Sequence, residues 1–148
     1  MLKLSISPTL ALGATCLAIA ATAPVQAEDA ALVFSVNQLT HDGGQLGVNL
    51  FRAQSEMFEH PYKKGFAQIK NGQAQIIFKD LPRGDYAAVA FHDENANRDL
   101  DHNVLRFPAE PLGFTGGFEL GIFSGMPTFQ KLKFAYPGQL QHITIAVK

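Results

Sequence analysis

From Ala31 the chain alternates between apolar and other positions. Leu32, Phe34 and Val36 fall on one face, the period of a strand. His41-Asp42-Gly43-Gly44 reads as a turn. Leu46, Val48 and Leu50 then alternate with Gly47 and Asn49, predicting a second strand that pairs with the first as a hairpin. Residues 56–64 are polar, carry His60-Pro61 and read as a loop. The clearest hairpin joins 66–70 to 73–79 through Asn71-Gly72, because Asn-Gly favours the type I′ turn that matches strand twist. Ala74, Ile76 and Phe78 point one way, and Leu81-Pro82-Arg83-Gly84 makes another tight turn.

Residues 86–91 are apolar on both faces, with Ala87, Val89 and Phe91 on one and Tyr86, Ala88 and Ala90 on the other. A strand of that kind is covered on both sides and is central. Residues 104–128 are irregular, with five glycines and three prolines. Their Phe107, Leu112, Phe114, Phe118, Ile122 and Phe123 are expected to pack down on the rest. Two last strands are expected, one with Leu132, Phe134 and Tyr136 inward and Lys131 and Lys133 outward. The other follows Pro137-Gly138, with Ile143, Ile145 and Val147 inward and His142 and Thr144 outward. About seven short strands with no helical period predict an all-β fold: an antiparallel β-sandwich, Ig-like or prealbumin-like. Barrel closure is the structural alternative.

Lys3, an apolar run over 10–23 and small residues at Val25-Gln26-Ala27 read as a secretory signal peptide over 1–27, cleaved after Ala27. The run is shorter than the ~20 residues that span a bilayer, so no membrane span is expected after cleavage. Cys16, the single cysteine, lies within it. A single domain over 28–148 without disulfides is then expected, in the periplasm or outside the cell. That domain carries 11 Lys and Arg against 13 Asp and Glu, without a basic patch, which argues against nucleic-acid binding.

The densest chemistry lies at 93–101. Asp93, Asn95, Asn97, Asp99 and Asp101 place oxygens at every second residue, as loops that wrap a hard cation do. Counted from Asp93, the sixth and twelfth places hold Arg98 and Val104 rather than the Gly and Glu of a helix-flanked calcium loop. A looser calcium loop would use Asp93, Asn95, Asn97 and Asp101, a backbone carbonyl from Asp99, and Glu110 from the next segment. The alternative is a loop held by its own Asx turns. His41, His60, His92, His102 and His142 lack the short spacings of zinc sites, although His92 and His102 flank the loop and could meet. Ile122-Phe123-Ser124-Gly125-Met126 lacks the first glycine of a nucleophile elbow. Glu110 and Glu119 have no fixed separation for glycoside cleavage. Catalytic residues are therefore expected to be none. Phe107, Phe114, Phe118, Phe123 and Phe129 read as core cover, with a ligand groove as the alternative.

Leu81-Pro82-x-Gly84-x-Tyr86, His92-Asp93-Glu94-Asn95-x-Asn97, Leu100-Asp101, Pro108-x-Glu110, Gly113-Phe114 and Pro127-x-Phe129 together resemble an exported bacterial family, the domain of unknown function 2141. Arg98 and Thr115 stand where that family has Gly and Ser. The resemblance covers nearly all of 28–148 and implies a secreted β-sandwich with no established activity. The expectation is an exported, non-enzymatic binding or structural module of the cell envelope, with an envelope protein as partner and calcium at the 93–101 loop. The alternative is a periplasmic protein that binds a small apolar or carbohydrate ligand under 104–128, with or without catalysis.

Overall fold

The computed structural model describes residues 30–53, 59–104, 108–121 and 123–148. The leader and its cleavage point, and the side chains of Phe107 and Ile122, lie outside the described residues. β1 (Ala31–Val36) is the middle strand of a three-stranded sheet. It runs antiparallel to β4 (Ala74–Lys79) and parallel to β8 (Gln141–Ile145). The larger sheet has the order β3 (Lys63–Gln68), β2 (Gln45–Arg52), β5 (Gly84–Asp93), β6 (Leu112–Phe114). β7 (Phe134–Tyr136) pairs with the first residues of β5. The fold is a β-sandwich.

The expected β1–β2 hairpin does not form. Leu32, Phe34 and Val36 instead face Leu46, Val48 and Leu50 across the core between the sheets. Two apolar faces lose more water when stacked face to face than when laid side by side. Residues 37–44 therefore cross from one sheet to the other, and the Leu39 amide donates to Gly72 O (3.0 Å) on the way.

The Asn71-Gly72 turn forms as its residues predict, with φ of 53° and 70°. Lys70 and Gln73 exchange both backbone bonds (2.9 and 3.1 Å). The hairpin is confined to that turn, however, because β3 joins the larger sheet and β4 the smaller one. The loop expected at 56–64 is shortened by β3, which begins at Lys63 and pairs with β2.

β5 is central, as its two apolar faces require. Tyr86, Ala88 and Ala90 join the core between the sheets. Ala87, Val89 and Phe91 join a second apolar layer on the outer face, with Phe51, Leu100, Leu112, Phe114 and Leu132. The segment after β5 covers that outer layer and thereby holds the candidate loop against a rigid strand. Tyr86 OH donates to Pro82 O (2.8 Å), tying the Leu81–Gly84 turn to the start of the strand.

The C-terminal region departs from expectation in three places. A single helical turn, α1 (Phe129–Leu132), replaces the start of the expected strand, with the Lys131 and Leu132 amides donating to Thr128 O. Leu132 thus turns into the outer layer, while Tyr136 points between the sheets. β8 runs parallel to β1, where an antiparallel partner was expected. Its continuation reaches the other sheet: Leu112 and Lys148 exchange backbone bonds of 3.1 and 3.0 Å. A Cβ at Gly113 would lie 2.2 Å from Ala146 O, so only glycine lets the two chains pass so closely. Finally, Phe123, expected to pack down, is 99% exposed.

Candidate functional site

The site begins at the last residue of β5. Asp93 is fully buried. Its Oδ1 accepts from Asn97 N (3.1 Å), and its Oδ2 accepts from Arg98 N (2.8 Å) and Gln45 Nε2 (2.7 Å). Three donors allow a carboxylate to be buried without a basic partner. Two Asx turns follow, with Asn95 Oδ1 accepting from Asn97 N (2.9 Å) and Asn97 Oδ1 accepting from Asp99 N (2.8 Å). This winding places Ala96 and Arg98 at φ of 57° and 66°. Arg98 therefore has the left-handed conformation that Gly adopts most readily, and its guanidinium lies 5.9 Å from the Phe66 ring centroid.

The loop closes on Asp101, whose carboxylate accepts from Asn95 Nδ2 (2.6 Å) and Asn97 Nδ2 (3.1 Å). Leu100 turns into the outer apolar layer beside it. Glu110 reaches back from the following segment. Its Oε1 accepts from Glu94 N (3.2 Å) and its Oε2 from Asp101 N (3.3 Å), which clasps both ends of the loop. Burial pushes the Glu110 carboxyl above the usual range, and the charges of Asp93 and Asp101 push the same way, against the two amide bonds. Among the described residues, no Lys or Arg forms an ion pair with Asp93, Asp101 or Glu110. Of the six candidate ligands, the five in the alternating loop and Glu110, five have side chains drawn together by these bonds. The Asp99 side chain points away and pairs with Lys64 Nζ at 3.1 Å.

A second cluster lies beside the loop and escaped the sequence reading. His41 and His92 lie with ring centroids 4.5 Å apart and ring planes inclined at 46°, and His41 Nε2 lies 3.3 Å from Glu94 Oε1. His102, which flanks the loop on its other side, forms a bridge with Pro108. Only the register of β2 on β5, which pairs Leu46 with His92, brings the turn carrying His41 over the end of β5. No spacing within the chain announces that.

A groove of about 570 Å³ is lined by Glu110, by 112–120 and by 143–146 with Lys148. Phe114 and Phe118 meet edge to face within it at 5.4 Å, and Lys148 Nζ pairs with Glu119 Oε1 at 2.7 Å. Ser124 Oγ is engaged in its own turn, accepting from Gly121 N (2.8 Å) and donating to Gly121 O (2.9 Å).

These features define an all-β module that presents a carboxylate-rich, self-bonded loop from its central strand. The chain belongs to a bacterial family described as an uncharacterized protein conserved in bacteria (DUF2141), whose model matches residues 34–144. That span contains every motif quoted above. No curated protein and no solved structure matches the chain.

Proposed function

We propose that this protein is an exported, non-enzymatic binding or structural module of the cell envelope whose 93–101 loop is ordered by calcium. The observation that carries the reading is the convergence of Asp93, Asp101 and Glu110 without a Lys or Arg partner among the described residues. Like charges held together raise the free energy of the ionised state, and a hard divalent cation reverses that sign. The donors are all oxygen, as calcium prefers. Those already accepting one amide keep a second lone pair for an ion. The exposed Phe123 and Met126, on a turn where Lys131 Nζ donates to Ser124 O (2.8 Å) and Met126 O (2.9 Å), support contact with a partner protein.

Thermal unfolding with calcium or chelator tests the reading. For a site of ~0.1–1 mM affinity, ~10 mM calcium adds about 1.4–2.7 kcal/mol and raises the melting point by several degrees. Asp93→Asn reduces the rise, the Asp93→Ala, Asp101→Ala pair abolishes it, and magnesium gives less. Identical curves in calcium and chelator would reduce the loop to a self-bonded turn. Export is tested by the N-terminus of the recovered protein, expected at Glu28.

The groove favours a second reading, a small apolar or carbohydrate ligand held between 112–120 and β8. Its rim combines the Phe114 and Phe118 rings with the polar pair Glu119 and Lys148. NMR titration with sugars and short aliphatic acids would shift Phe118 and Ile143 under this reading. Shifts confined elsewhere argue against it.

A further inference from the structure

We propose that His41, His92 and Glu94 form a binding site for a divalent transition ion of the zinc class, at the entry to the oxygen loop but with none of the side chains of the calcium reading as a ligand. One ligand atom from each of the three lies within 4.8 Å of the other two. Imidazole nitrogen with one carboxylate is the donor set that zinc, nickel and copper prefer over calcium. Ligand atoms around a tetrahedral zinc with bonds of ~2.0–2.1 Å stand about 3.3 Å apart. His41 Nε2 and Glu94 Oε1 already stand at 3.3 Å.

The hydrogen bonding of His92 carries the argument further. Its Nε2 lies 2.7 Å from Gly43 O, and a carbonyl only accepts, so Nε2 holds the proton. The neutral ring then has its lone pair on Nδ1. That atom is buried, in a residue 1% exposed, and has no partner among the described residues. An unmet buried acceptor is costly in a folded protein. A ring nitrogen left free while the other donates to a backbone carbonyl is the arrangement that metal-ligating histidines adopt. His92 is thus a fixed ring whose Nδ1 lacks a hydrogen-bond partner.

His41 and Glu94 are half-exposed, so their side chains can close the remaining distance by rotation. The Gly43 amide donates to His41 Nδ1 (3.2 Å), which leaves the neutral ring's proton on Nε2, facing Glu94. Loading the site moves that proton to Nδ1 and releases the Gly43 amide to water, which the exposed turn allows. The ion then replaces the Nε2 proton between His41 and Glu94, and solvent fills the fourth position. Nothing in this step requires the oxygens of Asp101 or Glu110.

The test uses the full chain without its leader and without a histidine tag. Zn2+ is titrated by calorimetry, and Co2+ by its visible absorption. The expected result is one ion per chain, with absorption typical of nitrogen and oxygen ligands. His41→Gln and Glu94→Gln each weaken binding about tenfold or more, while their melting points in chelator stay near wild type. His102→Gln leaves the zinc isotherm unchanged. His92→Asn is read only where its circular dichroism matches wild type, since it also loses the Gly43 contact. An isotherm that His41→Gln leaves intact would overturn the proposal, as would a wild-type protein that binds no more tightly than His41→Gln.

Discussion

The ring of Phe91 lies in the space that a side chain on Gly47 would fill. The two residues are direct partners between β2 and β5, and a Cβ at Gly47 would stand 2.3 Å from Phe91 Cζ. Phe66, the partner of Gly47 on the other side, meets Phe91 edge to face at 6.3 Å. The glycine is thus roofed by two rings. Gly47→Ala is expected to destabilise the domain by about 1–3 kcal/mol, because Phe91 is fully buried and cannot yield. Urea unfolding checks this, and an unchanged midpoint would mean the rings repack freely.

Val89 makes the sharper contrast. It is fully buried in the outer layer, and an aspartate there has no partner. Val89→Asp is expected to abolish cooperative unfolding, since burying an unpaired charge costs several kcal/mol or more. Lys133→Ala, whose 4.0 Å pair with Asp85 is solvent-exposed, is expected to change stability by less than ~0.5 kcal/mol. Equal losses would show that the outer face of β5 is not covered.

Thr115 extends the pairing of β6 with its side chain. Its Oγ1 accepts from Ala88 N (2.9 Å) and lies 2.7 Å from Leu132 O, tying α1 to the central strand. Thr115→Val keeps the shape but leaves buried backbone groups unmet, a loss of about 1–3 kcal/mol. Thr115→Ser keeps the hydroxyl and should retain most of that stability. Melting points of the two variants, measured together, separate the hydroxyl from the methyl group.

Asp42 ties the first turn to the second, its carboxylate accepting from Asn71 N (2.9 Å) and Gly72 N (2.8 Å). The Gly72 amide, then the Asn71 amide, hold its carboxyl below the usual range. A lowered folded value means that this stabilisation is present at neutral pH and is lost as pH falls through that value, below 3.8. Asp42→Asn is therefore expected to lower the melting point at pH 7 in chelator and to match wild type at strongly acidic pH. A deficit that persists unchanged into acid would show that the charge has no part in the contact.

Much of this molecule was legible in local pattern. The two apolar faces of Tyr86 to Phe91 required a strand covered on both sides, and β5 is that strand. Asn71-Gly72 dictated its turn. The alternating oxygens from Asp93 to Asp101 marked the loop, because Asx side chains bond their own neighbours and spacing alone encodes that.

Partnership between distant segments was settled by the packing of the whole chain. Alternation says which way a side chain faces but not which strand lies beside it, so β1 found β4 and β8 rather than β2. The same limit hid the meeting of His41 with His92, which depends on the register of β2 against β5. It also hid the exposure of Phe123 and the helical turn at Leu132, where the available partners, not the residues' own polarity, set the outcome. Local backbone and side-chain preferences act within a few residues and are written in the sequence itself. Face-to-face burial acts across the whole chain, and it is resolved only when all strands compete for the same two apolar layers.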